Sequence, residues 1–270
     1  PISAVIIDSQ PTNGQVIFDG NNTITFNPDD NYHGTDSFKY SVITDGGVKV
    51  TVSTDVVINS INDGPVVDAG IANKQAVEDS EFSFSLPANV FADIDGDPIG
   101  ITATLGDGRD LSFSWLNFDR GAQRFFGTPD NSDVGTTLVR VNASDGYLNT
   151  FTSFNIDISN TNDAPTNISI SNSNLDENDV AATIGKLTTT DVDNIHNASL
   201  YDESHTYQVL NDSRFEISKV GSNYYLKLKS GSSINYEVEK TVSLDIKTTD
   251  KAGANTTKTI TVNIGDINEP

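Results

Sequence analysis

The sequence predicts an all-β chain of three tandem β-sandwiches in an extended array. Three observations carry this. The motif Asn-Asp-x-Pro begins at Asn62 and again at Asn162, and a shorter version, Asn268-Glu269-Pro270, closes the chain. A turn Asp precedes each motif, Asp45 in TDGG, Asp145 in SDGY and Asp250 in TDKAG, at separations from the Asn of 17, 17 and 18 residues. That constancy across divergent sequence marks an internal repeat. Between turn and motif, VKVTVSTDVVI, TFTSFNIDI and TKTITVNI alternate branched or aromatic residues with polar ones, the pattern of a strand buried on one face.

The elements follow in order. Residues 1–64 form a short first repeat that opens in mid-strand with ISAVII, so its domain is expected to be truncated or split by an insertion. Residues 65–164 supply FSFSL, GITATL, FSWLNF, RFFGT, TLVRVNAS and the strand before the second motif; the single Trp115 is expected in the core. Residues 165–270 supply seven strand candidates: TNISIS, ATIGKLTTTD, HTYQVLN, RFEIS, YYLKLKSG, TVSLDIKTTD and TKTITVNIGD, with KVGSN as a hairpin turn. Helical spacing with caps is absent over any useful length. About seven short strands per repeat indicate immunoglobulin-like sandwiches.

Composition narrows the function. The 270 residues suit two or three domains, contain no Cys and no Met, and carry 16 basic against 38 acidic side chains, a formal net charge of −22. A disulfide framework, a thiol nucleophile and a Cys zinc site are excluded together. Nucleic acid would be repelled. No apolar run approaches the roughly 20 residues that span a bilayer, so membrane insertion is not expected. No signal segment opens the chain, which reads as a mature piece or an internal fragment. An acidic, thiol-free chain suits an extracellular surface exposed to divalent cations.

Clustered carboxylates without basic partners repel one another, and a hard cation can cancel that charge. Calcium takes six to eight oxygens in a tolerant geometry. FADIDGDP places Asp93, Asp95 and Asp97 at alternate positions, and TDVDN does the same with Asp191 and Asp193. The first spacing is like the start of an EF-hand loop, but the twelfth-position Glu and the flanking helices are missing. Any one of these acids could instead be a turn or Asx residue that needs no metal.

At this point the residues resemble a known family. NYHGTDSFKYSVITDGG with NDGP looks like the C-terminal part of the tandem cadherin-like repeat of giant bacterial RTX-type surface adhesins. WLNFDRGAQRFFGTPDNSDVGT with ASDG and NDAP resembles the dystroglycan-type cadherin-like domain. LDENDVAATIGKLTTTDVD, INYEVEKT and TTDKAG resemble a cadherin repeat. The resemblance implies several calcium ions, held where consecutive domains meet. The first set would be Asp36, Asn62 and Asp63 with Asp93, Asp95, Asp97 and Asp145. The second would be Glu78, Asp133, Asn160, Asn162 and Asp163 with Asp191, Asp193 and Asp250. Glu177, Asn235, Glu237, Asp266, Asn268 and Glu269 would make a third. Ser60 departs from the pattern where the second linker has Asn160, Asn235 replaces an expected Asp, and Glu269 replaces the usual linker Asp. On this reading Asn-Asp supplies linker oxygens, and the Pro fixes φ and starts the next domain without needing a ladder donor.

Catalytic chemistry is not legible. His33, His196 and His205 stand without a triad signature, and each is expected to be solvated or structural. No phosphate-binding glycine loop occurs. The Asn-x-Ser/Thr triplets at Asn142 and Asn167 follow freely from an Asn-rich composition. The expected function is therefore non-enzymatic: a calcium-rigidified stalk of a bacterial cell-surface adhesin, monomeric, with neighbouring repeats of its parent chain as partners, supporting adhesion or biofilm formation. Two alternatives stay open. One is a sandwich module that binds a surface or host glycan or peptide through the loop NIHNASLYDESH; the other is an accessory module of a secreted enzyme.

Overall fold

A computed structural model describes residues 1–21, 23–193 and 204–268. In chain order its strands are β1 (Ile2–Ser9), β2 (Gly14–Phe18), β3 (Ile24–Pro28), β4 (Gly34–Thr44) and β5 (Lys49–Ile58). Then come β6 (Val66–Val67), β7 (Lys74–Val77), β8 (Phe82–Ser85), β9 (Phe91–Ala92), β10 (Gly100–Leu105), β11 (Leu116–Asp119), β12 (Arg124–Gly127), β13 (Gly135–Ser144) and β14 (Asn149–Ser159). The last are β15 (Asn167–Ile170), β16 (Asn174–Asp176), β17 (Thr183–Thr190), β18 (Thr206–Val209), β19 (Phe215–Val220), β20 (Asn223–Leu228), β21 (Thr241–Thr249) and β22 (Asn255–Gly265). The chain is thus almost entirely β, as its alternating sequence requires. Short 3-10 turns lie at Leu111–Phe113 and Asn131–Asp133.

By contact the chain divides into two compact units. Pro1–Ile71, Leu86–Thr104 and Arg140–Ser153 form one; Ala72–Ser85, Leu105–Val139 and Phe154–Pro270 form the other. The division cuts across β13 and β14, each of which runs through both.

In the first unit β1, β4 and β5 make an antiparallel sheet in the order β1-β4-β5, beside the hairpin β2-β3. The β4–β5 pairing is long, from Gly34 opposite Ile58 to Ile43 opposite Lys49. Val16 of the hairpin and Phe38 of β4 are buried, and little else in residues 1–58 is. The short pair β6-β9 follows the first Pro, and Pro65 itself is buried.

In the second unit β11, β12 and β8 form one sheet, and β7 lies parallel to the end of β14, with Lys74 opposite Ile156 and Val77 opposite Ser159. Four phenylalanines fill the space between the layers. Phe125 is fully buried, with its ring 4.5 Å from Phe118, 5.5 Å from Phe154 and 6.1 Å from Phe84. Aromatic pairs at such separations add to the area they bury. Trp115 packs edge-on against Phe82 at 5.5 Å but is only half-buried. The expected strand FSWLNF begins only at Leu116, because Asp110 accepts a hydrogen bond from the Ser112 amide and caps a 3-10 turn that leaves Phe113 exposed.

The remaining strands of this unit build a second sandwich from two four-stranded sheets, β15-β17-β20-β19 and β16-β22-β21-β18. Its core is aliphatic: Ile168, Leu226, Leu228, Leu244, Ile246 and Val262 are fully buried. Burial of each is worth about 1.5–3 kcal/mol. KVGSN is the two-residue hairpin expected of it, with Val220 opposite Asn223 and Gly221 at φ 61°.

Candidate metal centres

Two of the Asn-Asp motifs are wired in the same way. In the first unit the Asn62 side-chain amide donates to Asp145 at 2.9 Å and to the carbonyl of Asp63 at 3.1 Å. The Asp63 amide donates to Asp95 at 2.7 Å, and the Asp95 amide to Asp93 at 3.0 Å. In the second unit Asn162 donates to Asp250 at 3.0 Å and to the Asp163 carbonyl at 3.1 Å. There the Asp163 amide donates to Asp193 at 2.9 Å, and the Asp193 amide to Asp191 at 3.2 Å. Each motif Asn thus spends its N–H groups on orienting a carboxylate and leaves its oxygen pointing elsewhere. Asp145 and Asp250 also accept backbone N–H groups from their own turns, and Asp145 titrates below the usual carboxylate range, chiefly through Asn62.

The acids converge. Asp93, Asp95 and Asp97 can bring carboxylate oxygens within 4.8 Å of one another, and so can Glu78, Asp163 and Asp193. Glu78, fully buried, accepts a short hydrogen bond from the Thr161 amide through Oε1. Its carboxyl is pushed above its usual value by burial and by the carboxylates of Asp163, Asp193 and Asp79. Asp163 shifts the same way for the same reasons, burial first. Asn160 donates to Asp193 at 3.0 Å, a bond that Ser60 in the first motif has no amide to make.

A third group, Glu177, Glu237 and Asp266, is also close enough to share an ion. Here Glu177 accepts the Ile267 and Tyr236 amides at 2.8 and 2.9 Å, which hold its carboxyl below the usual range. Asn268 is exposed, and Glu269 lies outside the described residues.

Not every expected residue joins. Asp36 is occupied by Thr12, Asn13 and Ser37, whose amides donate to it at 3.1, 2.6 and 2.7 Å. Asp133 caps its 3-10 turn through the Asp130 amide, and burial raises its pKa. Asn235 accepts the Val238 amide in a turn. Among the histidines, His205 is buried against Asp191 at 2.8 Å, and His196 lies outside the described residues. Asn131 was missed by sequence reasoning. It is buried and donates to Asp163 at 2.6 Å; its place two residues after Pro129 in the acidic TPDNSD turn was the available signal.

Buried oxygens with no donor test whether a cation fits. Glu78 Oε2, Asn131 Oδ1, Asn160 Oδ1 and Asn162 Oδ1 in the second unit have no hydrogen-bond partner, nor does Asp93 Oδ2 in the first. Each such group costs about 1–3 kcal/mol when unsatisfied. All are hard oxygen donors, and they gather around carboxylates whose charges repel. A calcium-sized cation would satisfy both conditions; a soft metal would find no thiol.

Comparison with known proteins agrees with the fold. Residues 1–59 match the family described as Cadherin-like domain, and residues 64–161 the family described as Putative Ig domain. No curated protein matches the chain. Among solved structures, PcdhgB3 EC1-4 matches over 98% of this chain at 17% identity and TM-score 0.63. Extracellular cadherin domains 1-4 of protocadherin gamma B7 match over 97% at 16% identity and TM-score 0.62. Domains 1-5 of protocadherin gamma B2 match over 98% at 16% identity and TM-score 0.62. The chain spans 67%, 67% and 53% of those three chains. The architecture is therefore that of tandem cadherin-like, immunoglobulin-type β-sandwich repeats.

Proposed function

We propose that the chain is a calcium-binding, non-enzymatic stalk segment of an extracellular bacterial surface adhesin, built from three repeats with bounds at 1–64, 65–164 and 165–270. The observation that carries this reading is the set of donorless buried oxygens at Glu78, Asn131, Asn160 and Asn162, gathered beside Asp163 and Asp193. Glu78, Asn160, Asn162, Asp163, Asp191, Asp193 and Asp250 would hold calcium, with Asn131 orienting Asp163. The first motif would bind through Asn62, Asp63, Asp93, Asp95, Asp97 and Asp145, and Glu177, Glu237 and Asp266 would bind a further ion. The ion supplies positive charge that offsets carboxylate repulsion, so a linker that would otherwise hinge becomes stiff. Sites of this extracellular kind bind at about 0.1–1 mM. Cadherin-like repeats in an adhesin would have neighbouring repeats as partners, at the cell surface.

Isothermal titration with calcium, with small-angle scattering and thermal unfolding in calcium and then in EDTA, tests the proposal. Calcium should raise the unfolding temperature and lengthen the particle. No bound calcium at 10 mM, or the same shape and stability in EDTA, would refute it.

A further inference from the structure

The two Asn-Asp motifs that share one wiring differ at two of their carboxylates. In the first unit Asp95 accepts the Asp63 amide through Oδ2; its counterpart Asp193 accepts the Asp163 amide through Oδ2 and also the Asn160 side chain through Oδ1. Asp93 accepts the Asp95 and Asp97 amides through Oδ1 at 3.0 and 3.3 Å, and its Oδ2 is buried without a donor. The counterpart of Asp93, Asp191, accepts the Asp193 amide through Oδ1 at 3.2 Å, but its Oδ2 takes a ring N–H from His205 at 2.8 Å. This pair is enclosed: the Asp191 and His205 side chains are 0% and 8% exposed.

The first motif has an apolar residue at this place. Thr206 opens β18 opposite Thr249, the residue before the turn Asp250. Gly100 opens β10 in the same way, since a Cβ built on it would lie 3.5 Å from the carbonyl oxygen of Ser144, the residue before the turn Asp145. His205 and Ile99 therefore correspond, and Ile99 has no side-chain donor. The acids able to share an ion split accordingly. Asp93 joins Asp95 and Asp97 in the first group, whereas the second consists of Glu78, Asp163 and Asp193 and leaves Asp191 out.

We propose that His205 competes with calcium for Asp191: its N–H occupies the oxygen that the first motif leaves open to an ion, and calcium reaches Asp191 only after the ring has swung away. A hydrogen bond to a carboxylate in an enclosed place is among the stronger ones, so an ion must outweigh it before gaining a ligand. The ring has somewhere to go, because a cavity of about 430 Å³ lies against it, lined also by Thr189, Tyr207, Lys219 and Tyr224 among the described residues. The second motif then fills in two steps, first around Glu78, Asp163 and Asp193, later at Asp191 and Asp250. Without calcium it keeps Asp191 satisfied where Asp93 has an oxygen without a donor. The inference rests on the calcium reading and adds the order in which the ligands engage.

The test titrates calcium into the full chain and follows two places by NMR: the Thr161 amide, which donates to Glu78, and the His205 ring, assigned by its loss in His205→Ala. The Thr161 signal should move first, and the ring at calcium about ten-fold higher. In calorimetric titration His205→Ala should bind the later ion about ten-fold more tightly, yet melt below the parent in EDTA, where Asp191 has lost its donor. His205→Gln, which retains an N–H, should return both values toward those of the parent. A purely structural role would lower melting temperature and calcium affinity together, so weaker calcium binding by His205→Ala would overturn the proposal and make His205 an orienting group. A ring signal that stays still while Thr161 responds would overturn it too. If neither responds and calorimetry detects no ion, the calcium reading itself fails, and the competition with it.

Discussion

Glu78 turns one carboxylate oxygen onto the amide of Thr161 and leaves the other buried without a donor. The pair fixes the strand end to the linker at the cost of an uncompensated charge. On the proposed calcium reading the arrangement is unsatisfied without the ion and satisfied with it, so a single substitution should change sign between the two conditions.

Glu78→Gln is expected to raise stability by about 1 kcal/mol in EDTA, where it removes repulsion from Asp163 and Asp193 and the penalty of burying a charge. In millimolar calcium the same variant should bind calcium about ten-fold more weakly and melt below the parent. Urea unfolding in the two buffers reads both. Loss of stability in EDTA equal to that in calcium would show that Glu78 acts only as a hydrogen-bond acceptor.

Phe125→Ala should cost about 3–5 kcal/mol, since the ring is fully buried among Phe84, Phe118 and Phe154. Denaturant unfolding followed by Trp115 fluorescence reports on this sandwich, because Trp115 packs on Phe82 within the same unit. A cost below about 1 kcal/mol would mean that the layers close over the gap.

Much of this architecture was legible because period-two alternation survives in the longest strands. β21 and β22 bury every second residue through Val242, Leu244, Ile246, Ile260, Val262 and Ile264. The grouping of Asn62 with Asp145 and of Asn162 with Asp250 came from the family resemblance and not from spacing, because each Asn meets the turn Asp that follows it, 83 and 88 residues on, while the interval of 17 residues joins it to a different Asp. Asn131 was not legible, because an amide in a turn carries no period and its partner Asp163 is far away in sequence. The capture of Asp36 by Thr12 and Asn13 was equally hidden, as it depends on how a loop crosses the sheet. Trp115 fell short of core because the turn capped by Asp110 delays its strand.

Gly185→Ala should destabilise the sandwich of β15 to β22 by about 1–3 kcal/mol. Gly185 follows a register shift in β17, and an added Cβ would lie 2.3 Å from the Asn172 carbonyl oxygen, backbone that cannot rotate away. Thermal unfolding of the variant checks it; a melting temperature within 1 °C of the parent would show that the bulge can open.

Acidification should unlock the Asp212–Arg214–Glu239 contact. Hydrogen bonds from Arg214 hold the Asp212 carboxyl below its usual value. A folded-state pKa below the unfolded one gives stability that is present above about pH 4 and lost as the pH falls through the lower folded value. Asp212→Asn should therefore cost about 1 kcal/mol at neutral pH and progressively less as the pH falls below about 4. Parallel pH profiles for the two proteins would remove Asp212 from the account.

The parallel pairing of β7 with β14, and of β16 with β22, also decides how a repeat answers a pull on its ends. In each pair an early strand and the last strand lie side by side and point the same way, so tension drags them past each other lengthwise. The ladder bonds between them then bear load together, in shear, where an antiparallel pair tugged from one end would part bond by bond like a zip.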